Sequence, residues 1–183
     1  MQNIENGSLL ISHPTMLDDT FFKGIILITH HNYEESVGLV INKPSKIKLH
    51  EIISEIPASN FPVYIGGPVA KNSIHYIHNI GNKIPESIKI IDGLYFGGDF
   101  DVVKNLIETK EISKKNIRFF AGYTGWESNQ LEEEIKEESW IINKANKELC
   151  LRYSNENLWG EILRKMDKKY AIWSNLPKNP SLN

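Results

Sequence analysis

Cysteine is nearly absent from this chain of 183 residues, since Cys150 is the only one. A single cysteine excludes an internal disulfide and is typical of a reducing compartment. Long apolar runs are absent as well: Gly24–Ile28 falls far short of the roughly 18 residues that a membrane-spanning helix needs. The first eight residues are polar and acidic, unlike a signal peptide. These absences predict a cytoplasmic protein with no membrane segment.

The chain also lacks an excess of positive charge. Its 21 Lys and Arg residues are balanced by 23 Asp and Glu residues, which gives a net charge of -2. Binding to a nucleic-acid backbone depends on a strong positive field. A helix-turn-helix would need a basic recognition helix, and neither the predicted helix at 100–108 nor the acidic one at 128–138 supplies it. Direct DNA binding is therefore not expected.

Catalytic and metal-binding motifs are missing too. The chain has no GxGxxG or Walker phosphate loop, no HExxH and no GxSxG nucleophile elbow. His75 and His78 resemble a metal-binding pair, but residues i and i+3 of a predicted strand point to opposite faces and cannot share an ion. Cys150 lies between two leucines, a setting typical of an inert, buried thiol. The sequence thus predicts no metal, no cofactor and no assembled catalytic residues.

What the chain does contain is a succession of short apolar runs bounded by turn residues. These runs predict strands at Leu9–Ile11, Gly24–Ile28, Val37–Ile41, Val63–Ile65, Ile74–Ile77, Ile88–Ile91 and Ile117–Ala121. Amphipathic spacing and caps predict helices at Leu49–Ile56, at Phe100–Glu108 after Asp99, from about Ser128, and at Asn155–Lys168 after Ser154. Strands dominate early and helices late, which indicates an α+β fold with an antiparallel or mixed sheet. We expect one domain over residues 1–183, with 177–183 as a loosely ordered tail.

Two glycine-rich segments are candidates for a binding site. Gly66–Pro68 either presents backbone N–H groups to an anion or forms a tight bend, and the bend is favoured because the spacing of a phosphate loop is missing. Gly122–Trp126, with Gln130 nearby, is expected to lead from a strand into a helix, a place where ligands often bind. Tyr123 and Trp126 suit either a binding surface or the core, and the sequence leaves both open.

Several stretches are similar to the signatures of a known family. They are Gly7–Pro14, Val37–Pro44, Val63–Val69 followed by His78, Gly122–Trp126 and Gln130–Glu132. In this order they resemble the YqgE/AlgH family nearly from end to end. The resemblance implies a single α+β domain whose sheet curls into an open, barrel-like form with flanking helices. One branch of that family carries a transcriptional-regulator label, and the family provides no established catalytic residues to transfer.

Two functional hypotheses follow. The first is a non-enzymatic binding or regulatory module for a protein or small-molecule partner, because motif-like glycine and aromatic positions occur without catalytic groups. Its expected surface consists of Asn42, Pro44, Gly66, Gly67, Pro68, His78, Gly122, Tyr123, Gly125, Trp126 and Gln130. The alternative is an enzyme or a binder of an anionic metabolite or nucleotide, in which His78 is the acid or base and the glycine loops hold the anion.

Overall fold

One sheet of ten strands organises the residues that the computed structural model describes, which are 3–153, 157–166 and 168–175. The strands are β1 Ser8–Ser12, β2 Ile25–His31, β3 Glu35–Val40, β4 Pro44–Lys48, β5 Pro62–Ile65, β6 Val69–His78, β7 Ile88–Ile91, β8 Leu94–Phe96, β9 Ile117–Glu127 and β10 Trp140–Lys144. The helices are α1 Leu49–Ile52, α2 Phe100–Glu108, α3 Gln130–Lys136, α4 Lys147–Leu151, α5 Leu158–Lys165 and α6 Lys168–Ala171, followed by a 3₁₀ turn at Ile172–Asn175. The predicted α+β class is confirmed.

The sheet has the strand order β10-β1-β2-β3-β9-β6-β8-β7, with β4 and β5 paired beside it. Every pairing among these strands is antiparallel except that of β5 with β9, so the sheet is mixed. Leu9 of β1 and Leu94 of β8 are far apart in this order, yet they belong to one core cluster. The sheet is therefore curled into a half-barrel with flanking helices, as the family resemblance implied.

Alternation along the strands divides their apolar residues between the two faces of the curled sheet. In β2, Ile25 and Leu27 face the concave core, whereas Ile26 belongs to a separate core on the outer face. The run Ile25–Ile28 is therefore buried on both faces of the sheet. Helices α4 and α5 pack into the concave core, where the Trp159 indole donates a hydrogen bond to the Ser12 carbonyl at 3.0 Å. The C-terminal helices therefore fill part of the half-barrel.

Helix α2 covers the outer face of the other half of the sheet. It begins at the predicted cap, because the Asp99 carboxylate accepts hydrogen bonds from the backbone N–H groups of Asp101 at 2.9 Å and Val102 at 3.3 Å. Leu106 of this helix packs in the same cluster as Phe119 of β9. The cap and the apolar stripe were both readable from the sequence, and both are confirmed.

Several element boundaries differ from the sequence prediction. Strand β9 continues to Glu127 rather than ending at Ala121, because its last residues pair with β3. Helix α3 consequently begins at Gln130, and α1 ends at Ile52. The strands β4, β8 and β10 and the helix α4 were not predicted.

Two further predictions concern the C-terminal region. Helix α5 begins at Leu158, whereas the predicted helix began at Asn155. The predicted cap Ser154 and the predicted tail at 177–183 lie outside the described residues.

A close backbone crossing joins β9 to the turn between β5 and β6. The N–H of Gly66 donates to the Ala121 carbonyl at 2.8 Å, so this N–H is already used within the fold. A Cβ on Gly67 would lie 2.1 Å from the Tyr123 carbonyl oxygen, and Gly122 has a φ of +70°. Side chains at these positions would collide with backbone or strain it. The first glycine segment is thus a tight bend, which was the favoured prediction.

We predict that Gly67→Ala destabilises the protein by roughly 2–4 kcal/mol, because backbone must move to admit the methyl group. Gly125→Ala is the matched control, since the nearest atom to its new Cβ would be Tyr123 Cε2 at an ordinary 3.5 Å. Urea unfolding followed by circular dichroism gives both free energies. Equal free energies of unfolding for the two variants would contradict the crossing.

Candidate functional site

An open cavity of about 490 Å³ lies at one end of the half-barrel, between strands β3, β6, β8 and β9. Its apolar and aromatic wall consists of Val37, Leu39, Val69, His75, Phe96 and Tyr123. Its remaining lining consists of Glu35, Ser36, Gly125, Trp126 and Glu127. We call this space the barrel-mouth groove. Cavities of this size, mostly apolar with a few polar groups, at the mouth of a β-barrel are common ligand sites.

The imidazole of His75 stands between two aromatic rings of the barrel-mouth groove. It stacks on Phe96 with ring centroids 6.0 Å apart, and it meets Tyr123 edge-on at 5.5 Å. Its Nε2 atom is buried and has no hydrogen-bond partner among the described residues. Burial lowers the pKa of His75, so the ring is neutral at neutral pH. The sequence suggested His75 only as a possible metal ligand, and no pattern in it indicated a place in the groove.

The predicted residues Tyr123, Gly125 and Trp126 meet at the groove, but the Trp126 ring is mainly a core residue. Its side chain is only 5% exposed, and its N–H donates to Glu134 Oε2 at 2.9 Å. The indole of Trp140 donates to the same oxygen at 2.7 Å. Of the two alternatives that the sequence left open, the core placement holds for Trp126, and only part of its surface reaches the groove.

Gln130 supports this arrangement from helix α3. Its amide nitrogen donates to Glu134 Oε1 at 3.0 Å, while its amide oxygen accepts from the Glu127 N–H at 3.1 Å. The carboxylate of Glu134 is therefore held by one amide and two indoles. This network fixes the junction between β9 and α3, so Gln130 acts behind the groove and not in its lining.

The other predicted positions on the N-terminal side serve the backbone. The Asn42 side chain accepts from the Ile25 N–H and donates to the Lys23 carbonyl, each at 2.8 Å, which ties the end of β3 to the start of β2. Pro44 opens β4 opposite Tyr64. Gly66, Gly67 and Gly122 form the crossing described above, and Pro68 is exposed beside Val69 of the groove. Whether any of these positions binds a partner stays a prediction.

The placement expected for His78 is wrong, because the side chain is fully buried at 0% exposure. Its Nδ1 accepts from the Ile80 N–H at 3.3 Å, so Nε2 carries the proton and donates to the Gly97 carbonyl at 2.9 Å. Its ring also stacks on Tyr95 at 5.8 Å, on the sheet face opposite to His75. Burial is the main cause that lowers the pKa of His78. The ring is enclosed on its face of the sheet by the Gly97 carbonyl, the Ser87 hydroxyl at 3.1 Å and the Tyr95 ring, and it does not line the barrel-mouth groove.

A buried cation lies deeper in the half-barrel. Arg118 of β9 is fully buried and donates to the carbonyl oxygens of Cys150 at 2.7 Å and Ile41 at 2.6 Å. Its guanidinium lies 4.0 Å from the centroid of the Tyr64 ring, and the ion pairs found within the described residues do not include it. Burial lowers the pKa of Arg118, which remains charged at neutral pH. This cation clamps α4 to the end of β3, a role that nothing in its apolar sequence neighbourhood indicated.

Residues 3–153, 157–166 and 168–175 contain neither a metal-binding cluster nor a membrane-spanning helix. There, His, Cys, Asp and Glu side chains form no group of three or more that is placed to hold a metal ion. None of the helices in those ranges has the length and apolarity that crossing a membrane requires.

The curled mixed sheet, the helices packed inside it and the barrel-mouth groove define an α+β half-barrel with one open end. A model of the AlgH-like family matches residues 9–171, and this chain belongs to that family. It is 41% identical over 178 residues to the UPF0301 protein BF2109 of Bacteroides fragilis, covering 97% of this chain and 90% of that protein. A UPF0301 protein of Bacteroides thetaiotaomicron is 39% identical over the same shares of the two chains.

Two solved structures share the fold. Protein DIP2367 from Corynebacterium diphtheriae matches with a TM-score of 0.78 and 21% identity, over 96% of this chain and 94% of the other. The AlgH protein from Pseudomonas aeruginosa matches with a TM-score of 0.73 and 24% identity, over 98% of this chain and 100% of the other. At these identities the similarity concerns the fold alone.

We predict that Glu134→Ala lowers the free energy of unfolding by roughly 2–4 kcal/mol, because two largely buried indole N–H groups lose their acceptor. Glu133→Ala removes the same charge from the exposed side of α3 and should change stability by less than about 1 kcal/mol. Denaturant unfolding monitored by tryptophan fluorescence measures both. Equal stability of the two variants would contradict the role of the Glu134 carboxylate as the shared acceptor of the two indoles.

We predict that Cys150 resists alkylation in the folded protein. Burial raises the pKa of its thiol to about 12, so almost no thiolate forms at pH 8. Iodoacetamide should react at least about a hundredfold more slowly with the folded chain than with the chain in urea. Mass spectrometry measures the rates, and a Cys150→Ser variant gives the background. Similar rates in both states would show that the thiol is accessible.

Proposed function

We propose that this chain is a non-enzymatic, cytoplasmic binding protein with a regulatory role, and that the barrel-mouth groove receives an apolar or aromatic group of its partner. The observation that carries this proposal is the aromatic wall left open to solvent. Tyr123, His75 and Phe96 form a rigid stack beside Val69, which is 39% exposed although it belongs to a strand. Covering such surface is favourable by about 25 cal/mol per Å² of apolar area.

The polar groups of the groove suit recognition more than catalysis. The His75 ring is neutral and its buried Nε2 has no hydrogen-bond partner among the described residues, so the ring serves the groove as part of its aromatic wall and not as a proton carrier. Tyr123 adds a hydroxyl to a large rigid face, a combination that is favoured at binding surfaces. A regulatory role through protein contact agrees with a net charge of -2, which does not favour direct contact with DNA.

The enzymatic alternative has less support. It required His78 as a solvent-reached acid or base, and that ring is enclosed with its Nε2–H engaged by the Gly97 carbonyl. It also required free N–H groups in the glycine loops, whereas the Gly66 N–H is engaged by Ala121. No arrangement among the other described residues favours an enzymatic reaction.

The test compares Val69→Lys with Ile88→Lys. Val69 and Ile88 are exposed apolar residues of strands, at 39% and 58%, but only Val69 lines the groove. We expect neutral aromatic fragments to shift the backbone amide signals of Tyr123 and Gly125 in two-dimensional NMR spectra. The shifts should vanish in Val69→Lys, because a charged group then occupies the apolar wall, and persist in Ile88→Lys. Fragments that bind both variants equally, or that bind elsewhere, would count against the proposal.

A further inference from the structure

Two glutamates face each other across the rim of the barrel-mouth groove. Glu35 of β3 and Glu127 of β9 are directly opposite in the strand register, both are exposed, and both line the groove. Like charges at directly opposed positions destabilise a sheet. Neither carboxylate forms an ion pair with any described residue. The fold therefore holds two uncompensated negative charges at the groove entrance.

The surrounding segments strengthen this negative field. Residues 24–42 and 119–135 contain six glutamates, no aspartate, and neither lysine nor arginine. The hydroxyl of Ser128 donates to the Tyr33 carbonyl at 2.9 Å, which ties the β2–β3 turn to the end of β9. Glu34 and Glu35 of the first segment and Glu127 of the second are thus held at one end of the sheet. A ligand that enters here meets negative charge first and the apolar wall behind it.

Only a ligand that is both cationic and apolar complements the negative rim together with the apolar wall behind it. An anionic metabolite or a nucleic acid would be repelled at the rim, and a hydrated metal ion would leave the aromatic wall uncovered. The face of Tyr123 offers a cation–π contact that an arginine can use as it passes inward. Val69 of the lining is 39% exposed, and the ring of Tyr33, 83% exposed, adds apolar surface in the β2–β3 turn that Ser128 ties to the end of β9. That extent suits several residues of an extended segment better than a single small ion.

We infer that the barrel-mouth groove binds a segment of a protein partner that carries an arginine or lysine next to apolar residues. The basic group lies between Glu35 and Glu127, and its apolar neighbours cover Val69 and Tyr123. This inference rests on the proposed function, because it names the partner chemistry of the same groove. The charges at the rim mainly steer and select the partner, and the apolar wall supplies most of the contact area.

The test uses a blocked peptide, acetyl-Gly-Leu-Arg-Leu-Gly-amide, titrated into the full chain and followed by NMR. A citrulline peptide removes the charge at constant shape, a Glu peptide reverses it, and agmatine presents the guanidinium without a peptide. We expect the Arg peptide to bind roughly fivefold more tightly than the citrulline peptide, the effect of losing rim ion pairs. The Glu peptide and agmatine should bind more weakly than either.

Variants locate the effect on the protein. Glu35→Gln with Glu127→Gln should reduce the preference for Arg over citrulline to about one, without loss of stability because a repulsion is removed. Glu5→Gln with Glu108→Gln removes the same charge at exposed positions outside the groove lining and should keep the preference. Glu35→Lys with Glu127→Lys should invert it, so that the Glu peptide binds better than the Arg peptide.

Each contrary outcome has a distinct meaning. Equal affinity of the Arg and citrulline peptides for the unmodified chain would overturn the inference, as would tighter binding of agmatine than of the Arg peptide, which would indicate a site for small cations. If neutral aromatic fragments bind the groove while the peptides show no charge preference, this inference fails and the proposed function stands. If neither fragments nor peptides bind there, both fail.

Discussion

The close approach of Gly67 to the backbone of β9 is the contact on which the half-barrel depends. It occurs where β9 changes its neighbour, from the parallel strand β5 at Val63–Ile65 to the antiparallel strand β3 at Ser36–Gly38. On its other side, β9 remains paired with β6, and the register of that pairing shifts between Val69 and Ile74. The positive φ of Gly122 lies at this change of partner. One strand can therefore belong to both halves of the sheet, and the bend lets the sheet curl.

The location of the barrel-mouth groove follows from how the curled sheet is filled. Helices α4 and α5 place Leu151 and Trp159 in the concave core, and Arg118 fastens α4 by two hydrogen bonds to main-chain carbonyls. A buried guanidinium without a carboxylate is tolerated because carbonyls and the Tyr64 ring replace part of its hydration. The groove at the far end is lined by β3, β6, β8 and β9 alone. Within the described ranges, it is the part of the concave face that the helices do not line.

The sequence predicted those features that depend on local periodicity. Ile25 to Ile28 alternate between two cores as a doubly buried strand should, and Asp99 caps α2. Prediction from the sequence failed for segments whose backbone conformation depends on the strand with which they pair. The stretch Gly122–Trp126 has the residues of a turn, yet pairing with β3 keeps it extended. A related cause exchanged the roles of His75 and His78: the two rings lie on opposite faces of β6, and only the tertiary structure shows that Gly97, Ser87 and Tyr95 cover His78 whereas the face of His75 opens to the groove.

Register also explains why the acidic rim could not be found in the sequence. Glu35 and Glu127 are ordinary surface residues until β3 and β9 are aligned, and only then do two like charges stand opposite each other. Two nearby polar side chains are satisfied locally: Asn32 caps the β2–β3 turn by accepting two backbone N–H groups, and Glu134 accepts two indole N–H groups. The repulsion between Glu35 and Glu127, beside the apolar wall of the groove, does not stabilise the fold. A local rule that is broken without benefit to stability points to a function of the folded chain, and at the groove that function is the recognition of positive charge.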